Sequence, residues 1–117
     1  MATYEKYKHD IVRHEGNLAD IVVDLEGIEE IGGITIQVRK NDARKTLIFE
    51  KSTLDSETSG DIIVNSEGTG FTIVLNPEDT KGYPGNHLYE IDILNNDHKP
   101  FLTIGGIFRI EPEINSM

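Results

Sequence analysis

Four histidines, at positions 9, 14, 87 and 98, are the residues that most readily suggest metal chemistry. Imidazole is a common metal ligand, but a site needs several ligands that converge on one point. His9 and His14 are five residues apart and would point to opposite faces of a regular strand. We therefore expect these to be strand and loop histidines, with no metal site.

Carboxylates offer a second kind of chemistry, because two neighbouring carboxylates can act as acid and base or can bind calcium. The chain has 21 Asp and Glu residues. The pairs Glu90/Asp92 and Asp20/Asp24 each fall on one face of an extended strand. No loop of the D-x-D-x-D-G type accompanies them. We interpret both pairs as outward side chains that keep a sheet soluble and discourage pairing at its edges.

The sequence lacks the usual nucleophile and phosphate-binding motifs. It has no Cys, which excludes disulfides, thiolate zinc sites and cysteine nucleophiles. No Ser stands in a G-x-S-x-G context. Residues 67–70 (EGTG) form a Gly-rich turn, but the Lys and helix of a phosphate-binding loop do not follow. We predict a protein that is not an enzyme and binds no cofactor.

Three residues are candidates for exposed contacts with a partner: Tyr83, Asp97 and His98. Tyr83 lies in the loop segment Tyr83-Pro84-Gly85, and Asp97 and His98 lie at the tip of a predicted hairpin. Binding residues are often carried by loops that a rigid scaffold positions. For Tyr83 the alternative is a ring folded over the end of the domain. For the hairpin tip the alternative is a solvated turn without a binding role.

Length and charge restrict the kind of protein. The 117 residues and 13.1 kDa predict one domain over residues 1–117, with loose ends at about 1–6 and 113–117. The net charge of −10, from 11 Lys and Arg against 21 Asp and Glu, argues against nucleic acid and anionic membranes as partners. No apolar stretch approaches the roughly 18 residues of a membrane span. We expect a soluble, acidic domain made inside a cell.

Apolar residues recur with period two, which predicts an all-β fold. Ile34, Ile36 and Val38 alternate with polar residues, as do Tyr89, Ile91 and Ile93 with Glu90 and Asp92. No window shows a helical stripe. Strands are predicted at about 8–13, 20–25, 34–39, 46–52, 62–65, 71–75, 87–94 and 101–110. The predicted interior comprises Ile36, Val38, Phe71, Ile73, Tyr89, Ile91 and Phe108.

The connections predict how the strands are joined. Residues 41–44, 67–70 and 95–99 are short and rich in residues that tolerate positive φ, so we interpret them as hairpin turns. Residues 53–61 and 76–86 are longer, and they are the natural crossings between two sheets. Asn76-Pro77-Glu78-Asp79 favours one helical turn. The pair Gly105-Gly106 predicts a bulge or a close backbone approach in the last strand.

Three segments of the second half occur in a recognisable order: 70–80 (GFTIVLNPEDT), 85–93 (GNHLYEIDI) and 101–110 (FLTIGGIFRI). They resemble the small immunoglobulin-like domains of tailed phages and prophages, particularly the N-terminal domain of upper baseplate proteins from phages of Gram-positive hosts. Residues 34–40 and 48–52 fit the middle hairpin of that family. His87 departs from it, since an aromatic residue is usual there.

The resemblance implies an immunoglobulin-like antiparallel β-sandwich of seven to eight strands with a structural, non-catalytic role. It implies a tail or baseplate component of a virion, made in the bacterial host cytoplasm. Its partners would be other virion proteins or further copies of the chain, with no nucleic acid and no membrane. The alternative is a carbohydrate-binding or adhesion module on a similar sandwich, since fold alone does not separate the two.

Overall fold

The computed structural model describes residues 6–8, 11–14, 20–24, 31–64 and 70–112. Within these ranges the strands are β1 (Lys6–Lys8), β2 (Ile11–His14), β3 (Ile21–Asp24), β4 (Gly33–Lys40), β5 (Leu47–Ser52), β6 (Ile62–Val64), β7 (Gly70–Ile73), β8 (Gly85–Leu94) and β9 (Pro100–Glu111). A 3₁₀ turn spans Ser59–Asp61 and a short helix, α1, spans Pro77–Thr80. Several predictions fall outside the described residues. These are the loose ends at 1–6 and 113–117 (except residue 6), His9, and residues 67–69 of the predicted turn.

The strands form two sheets that face each other. The large sheet has the order β1-β9-β8-β4-β5, with β2 also paired to β9, and the small sheet has the order β3-β7-β6. The central strands of the large sheet and all of the small sheet correspond to the two layers of an immunoglobulin-like sandwich. The predicted all-β immunoglobulin-like sandwich is therefore confirmed, but the described residues contain nine strands where seven to eight were predicted.

The predicted connections also agree with the structure. Strand pairs β4/β5, β6/β7 and β8/β9 are antiparallel neighbours within one sheet. The chain crosses from the large sheet to the small sheet between β5 and β6, and returns between β7 and β8. Helix α1 lies in the returning segment, where Pro77 occupies the first turn and Asp79 accepts a hydrogen bond from the Asn76 amide at 2.7 Å.

Two features of the strands differ from the sequence-based expectation. The strand predicted at about 8–13 is two short strands, β1 and β2, and both run parallel to β9. Alternation reports which face a residue occupies but not the direction of its neighbour. Strand β9 also continues through Gly105 and Gly106 without a bulge, since these residues pair in regular register with Glu90 and Tyr89. The register shifts lie instead at Val38/Arg39 and at Ile93/Leu94.

The core lies between the two sheets, and all seven residues predicted for the interior are buried in it. Phe108 is fully buried at its centre, where its ring makes edge-to-face contacts with Phe49 at 6.0 Å and with Tyr89 at 6.4 Å between centroids. Such aromatic pairs add to the free energy gained by burying the rings. The rigid interior fixes the two outer faces and the two ends of the sandwich.

Candidate protein interaction site

Tyr83 lies between α1 and β8, with its ring packed against the edge of the core. The Lys40 ammonium stands over the ring, 5.7 Å from its centroid. The Tyr83 carbonyl oxygen accepts a hydrogen bond from His87 Nε2 at 2.7 Å. The Tyr83 side chain is therefore half-buried, and its ring lies beside a cation.

Asp97 and His98 lie exposed in the turn between β8 and β9. Asn95 organises this turn, because its Oδ1 accepts hydrogen bonds from the amides of Asp97 at 2.9 Å and Lys99 at 3.1 Å. His98 adopts a left-handed conformation with φ 59. The backbone of the turn is thus well ordered, while both candidate side chains point to solvent.

The structure does not bring the three predicted contact residues together. Tyr83 precedes β8 and the Asp97–His98 turn follows it, so the ten-residue strand separates them. At about 3.3 Å per residue, this places them roughly 30 Å apart at opposite ends of the sandwich. Any role they have belongs to two separate surfaces.

The candidate metal and acid–base residues are also dispersed. His87 is buried within the sandwich and donates from Nε2 to a carbonyl, whereas His98 lies at the opposite end. Glu90 and Asp92 share the outer face of the large sheet, as their alternation predicts, and Asp92 accepts a hydrogen bond from Thr103 Oγ1 at 2.8 Å. Among the described residues, no three His, Cys, Asp or Glu side chains are grouped as metal ligands would be.

A buried ion-pair network joins the two sheets at one edge. Lys51 on β5 points inward beneath the sheet, and its side chain is only 3% exposed. Its Nζ lies 2.7 Å from Oδ2 of Asp61, at the start of β6, and 2.9 Å from Oδ2 of Asp79 in α1. The Asn76 side chain donates to the same Asp61 oxygen at 3.1 Å. The Lys51 ammonium therefore links β5 to two other segments, the connection between β5 and β6 and the connection between β7 and β8.

The electrostatics of this network indicate a structural role. Burial, the largest single influence, lowers the pKa of Lys51, but the hydrogen bonds and charges of Asp61 and Asp79 together raise that pKa above its ordinary value of 10.5. A lysine that acts as a nucleophile or base needs a lowered pKa. The Lys51 ammonium is instead held protonated between two carboxylates, so it is suited to fastening the sheets together.

The outer face of the small sheet carries exposed apolar side chains. Val22 on β3 and Ile63 on β6 both pair with Thr72 of β7, one from each side, so the three form a row across the sheet. Val22 is 66% exposed and Ile63 56% exposed. We call this row the small-sheet face. Asp20, which is exposed, immediately precedes β3.

Sequence reasoning missed the small-sheet face, although a signal was present. Residues 21–23 (IVV) and 62–64 (IIV) are runs of three apolar residues in short strands. In a strand with one buried face, the middle residue of such a run must point outward. Ile21 and Ile62 are buried accordingly, and Val22 and Ile63 are exposed.

No family model matches the chain, and no curated protein matches it. Among solved structures, the chain is similar to an extracellular domain of the voltage-gated sodium channel beta4 subunit, with 9% identity, 92% of this chain and 93% of that chain covered, and a TM-score of 0.41. That subunit forms parallel homodimers that explain its role in cell–cell adhesion. Within the described part of this chain, no helix has the length and apolar character to span a membrane.

Proposed function

We propose that the chain is a non-catalytic structural protein of a phage or prophage virion, a tail or baseplate component that acts through protein–protein contacts. The phage assignment derives from the resemblance of residues 70–80, 85–93 and 101–110 to upper baseplate domains. The mode of action derives from the structure, and the small-sheet face is the observation that carries it.

The small-sheet face has the character of a contact surface. Exposed apolar side chains are common singly, but a row of them on a rigid sheet presents area whose burial stabilises a complex. Val22, Thr72 and Ile63 occupy adjacent strands, so a flat partner surface can cover all three at once. The occupant we assign is another virion protein with an apolar patch.

The charges around the face define the partner further. Asp20 lies exposed immediately before β3, two residues from Val22, and the chain as a whole carries a net charge of −10. A partner whose apolar patch has a basic rim would meet this surface with complementary potential. Because salt screens exposed charges, the association should weaken as ionic strength rises.

The outer face of the large sheet is built differently, which favours the small sheet as the site of contact. Thr35 and Ser52 hydrogen-bond across β4 and β5 at 3.0 Å, and Gln37 donates to Glu50 beside them. Thr103, which is fully buried, donates to Asp92 across β9 and β8, so this part of the sheet is not open to a partner. These polar groups satisfy one another, so they gain little from a partner.

Mass spectrometry of purified virions from a host that carries the gene tests the proposal. The expected result is that the chain copurifies with particles through a density gradient. Its absence from particles, together with specific glycan binding by the isolated domain, would overturn the proposal in favour of the carbohydrate-binding or adhesion module. A measurable hydrolytic activity of the purified chain would overturn the non-catalytic part.

A further inference from the structure

Positive charge is concentrated at one end of an otherwise acidic molecule. Five of the 11 Lys and Arg residues lie at the end of the sandwich where β4 finishes and β8 begins. We call this group the basic end, which comprises Arg39, Lys40, Arg44, Lys45 and Lys81. Four of the five occur within residues 39–45 (RKNDARK), the hairpin between β4 and β5.

The basic end is rigid. Asp42 accepts hydrogen bonds from the amides of Arg44 at 3.0 Å and Lys45 at 2.8 Å, which closes the hairpin and directs the carboxylate toward the backbone. Arg39 Nη1 donates to the Lys45 carbonyl at 3.1 Å. The Tyr83 ring lies against Lys40 and joins the Lys81 loop to the hairpin. A surface ordered in advance loses less conformational entropy when it binds.

The opposite end of the sandwich carries the opposite charge. Asp55 and Glu57 lie exposed in the crossing after β5, and Asp97 lies exposed in the turn after β8. We call these three residues the acidic end. Lys99 is the cation beside them in the described part of the chain. The eight residues of β4 separate the two ends by about 25 Å.

Each end also exposes a leucine. Leu47 at the start of β5 is 42% exposed beside the basic hairpin, and Leu54 is 53% exposed beside Asp55. Interfaces combine an apolar centre with a charged rim. The two ends therefore carry opposite charges, and each exposes one leucine beside its charged residues.

We infer that the basic end of one copy of this chain docks onto the acidic end of a second copy, head to tail. Such a contact uses two different surfaces of the same chain, so successive copies form a ring or a filament. The net charge of −10 opposes close approach of copies, so each contact is weak. Moderate salt screens this long-range repulsion before it screens the closer charges within the contact. The contact goes beyond the proposed function, because it joins copies of the chain to one another and does not involve the small-sheet face.

Sedimentation equilibrium of the full chain tests the inference. At about 150 mM salt, where a Debye length of about 8 Å screens the repulsion between whole copies more than contacts within the docked surface, the wild type should associate reversibly at high concentration. The Arg44→Glu/Lys45→Glu variant and the Asp55→Lys/Glu57→Lys variant should each associate at least about tenfold more weakly, because like charges then face each other. An equimolar mixture of the two variants should associate again, since each retains the end that the other lacks.

A charge-matched control separates the contact from general repulsion. Arg44→Gln/Lys45→Gln and Val22→Glu/Ile63→Glu each change the net charge by the same amount, but only the first pair alters the basic end. The first variant should therefore associate more weakly, whereas the second should still associate. Circular dichroism confirms that each variant is folded. A monomeric wild type at every concentration and every salt concentration from about 50 to 300 mM would overturn the inference. So would a mixture of the two reversal variants that fails to associate. Because this assay uses only the purified chain, its failure is distinguishable from absence of the chain from virions.

Discussion

The outer faces of the two sheets differ in polarity. On the large sheet, polar side chains pair across neighbouring strands, as Thr35 does with Ser52 and Thr103 with Asp92. On the small sheet, Val22 and Ile63 remain largely exposed. The polar groups on the outer face of the large sheet thus hydrogen-bond to one another. The exposed apolar side chains on the small sheet would instead contribute binding free energy if a partner covered them. This difference suggests that the large sheet provides the scaffold and the small sheet the contact.

The largest expected effect concerns the scaffold. Phe108→Ala should lower the free energy of unfolding by about 3–5 kcal/mol, because it leaves a cavity among rings that pack edge to face. Chemical denaturation followed by circular dichroism measures this loss. Phe101→Ala, on the same strand but partly exposed, should cost clearly less. Equal losses for the two variants would contradict the placement of the core.

The next effect concerns the link between the sheets. Lys51→Met keeps most of the side-chain volume but leaves Asp61 and Asp79 without their cation. Removing one partner of a fully buried pair costs about 3–5 kcal/mol; here we expect about 2–3 kcal/mol, because Asp61 is 30% exposed and keeps contact with water. Denaturation curves of this variant and of Lys81→Met, an exposed control, provide the test. A loss no greater than that of Lys81→Met would show that the network does not hold the sheets together.

The same network predicts a dependence on alkaline pH. Since the pKa of Lys51 is raised in the folded chain, its contribution to stability is fully present below the unfolded value near 10.5 and is lost as the pH rises through the folded pKa. The difference in unfolding free energy between the wild type and Lys51→Met should therefore be constant from pH 7 to about 10 and shrink above it. Titrating both proteins by urea denaturation measures the difference. A difference that grows above pH 10.5 would contradict the sign of the shift.

The smallest expected effect concerns the stability of the small-sheet face. Val22→Thr/Ile63→Thr keeps β-branched side chains on exposed strand positions. We expect the free energy of unfolding to change by no more than about 0.5 kcal/mol for each substitution. Thermal denaturation followed by circular dichroism measures the change. A large loss would mean that these side chains belong to the core and not to a contact surface.

Much of the fold follows from local sequence patterns. Alternation predicted the interior position of Phe71 and Phe108, and Asn76-Pro77 predicted the helical turn that became α1. Alternation could not predict that β1 and β2 run parallel to β9, because strand direction depends on how the chain returns in space. It also could not predict that Lys51 points inward, since an ammonium is buried only where carboxylates from distant segments meet it.

The candidate site was harder to predict from the sequence than the fold. Tyr83, Asp97 and His98 were chosen because loops often bind, but β8 places them at opposite ends of the domain. The basic end was visible as the run RKNDARK, yet its meaning depends on the acidic residues that the fold places at the other end. A surface is defined by which segments come together, and one segment alone does not report that.

Incorporation of paired lysine variants into particles tests most directly the proposal that the small-sheet face joins the chain to a virion. Val22→Lys/Ile63→Lys places two charges on the face, whereas Gln37→Lys/Asn86→Lys adds the same charge to the outer face of the large sheet. Both variants should fold, as circular dichroism would verify. Quantitative mass spectrometry of purified particles should find the first variant depleted at least about tenfold, which corresponds to about 1.4 kcal/mol of lost binding free energy, and the second at the wild-type level. Equal incorporation of the two variants would contradict the claim.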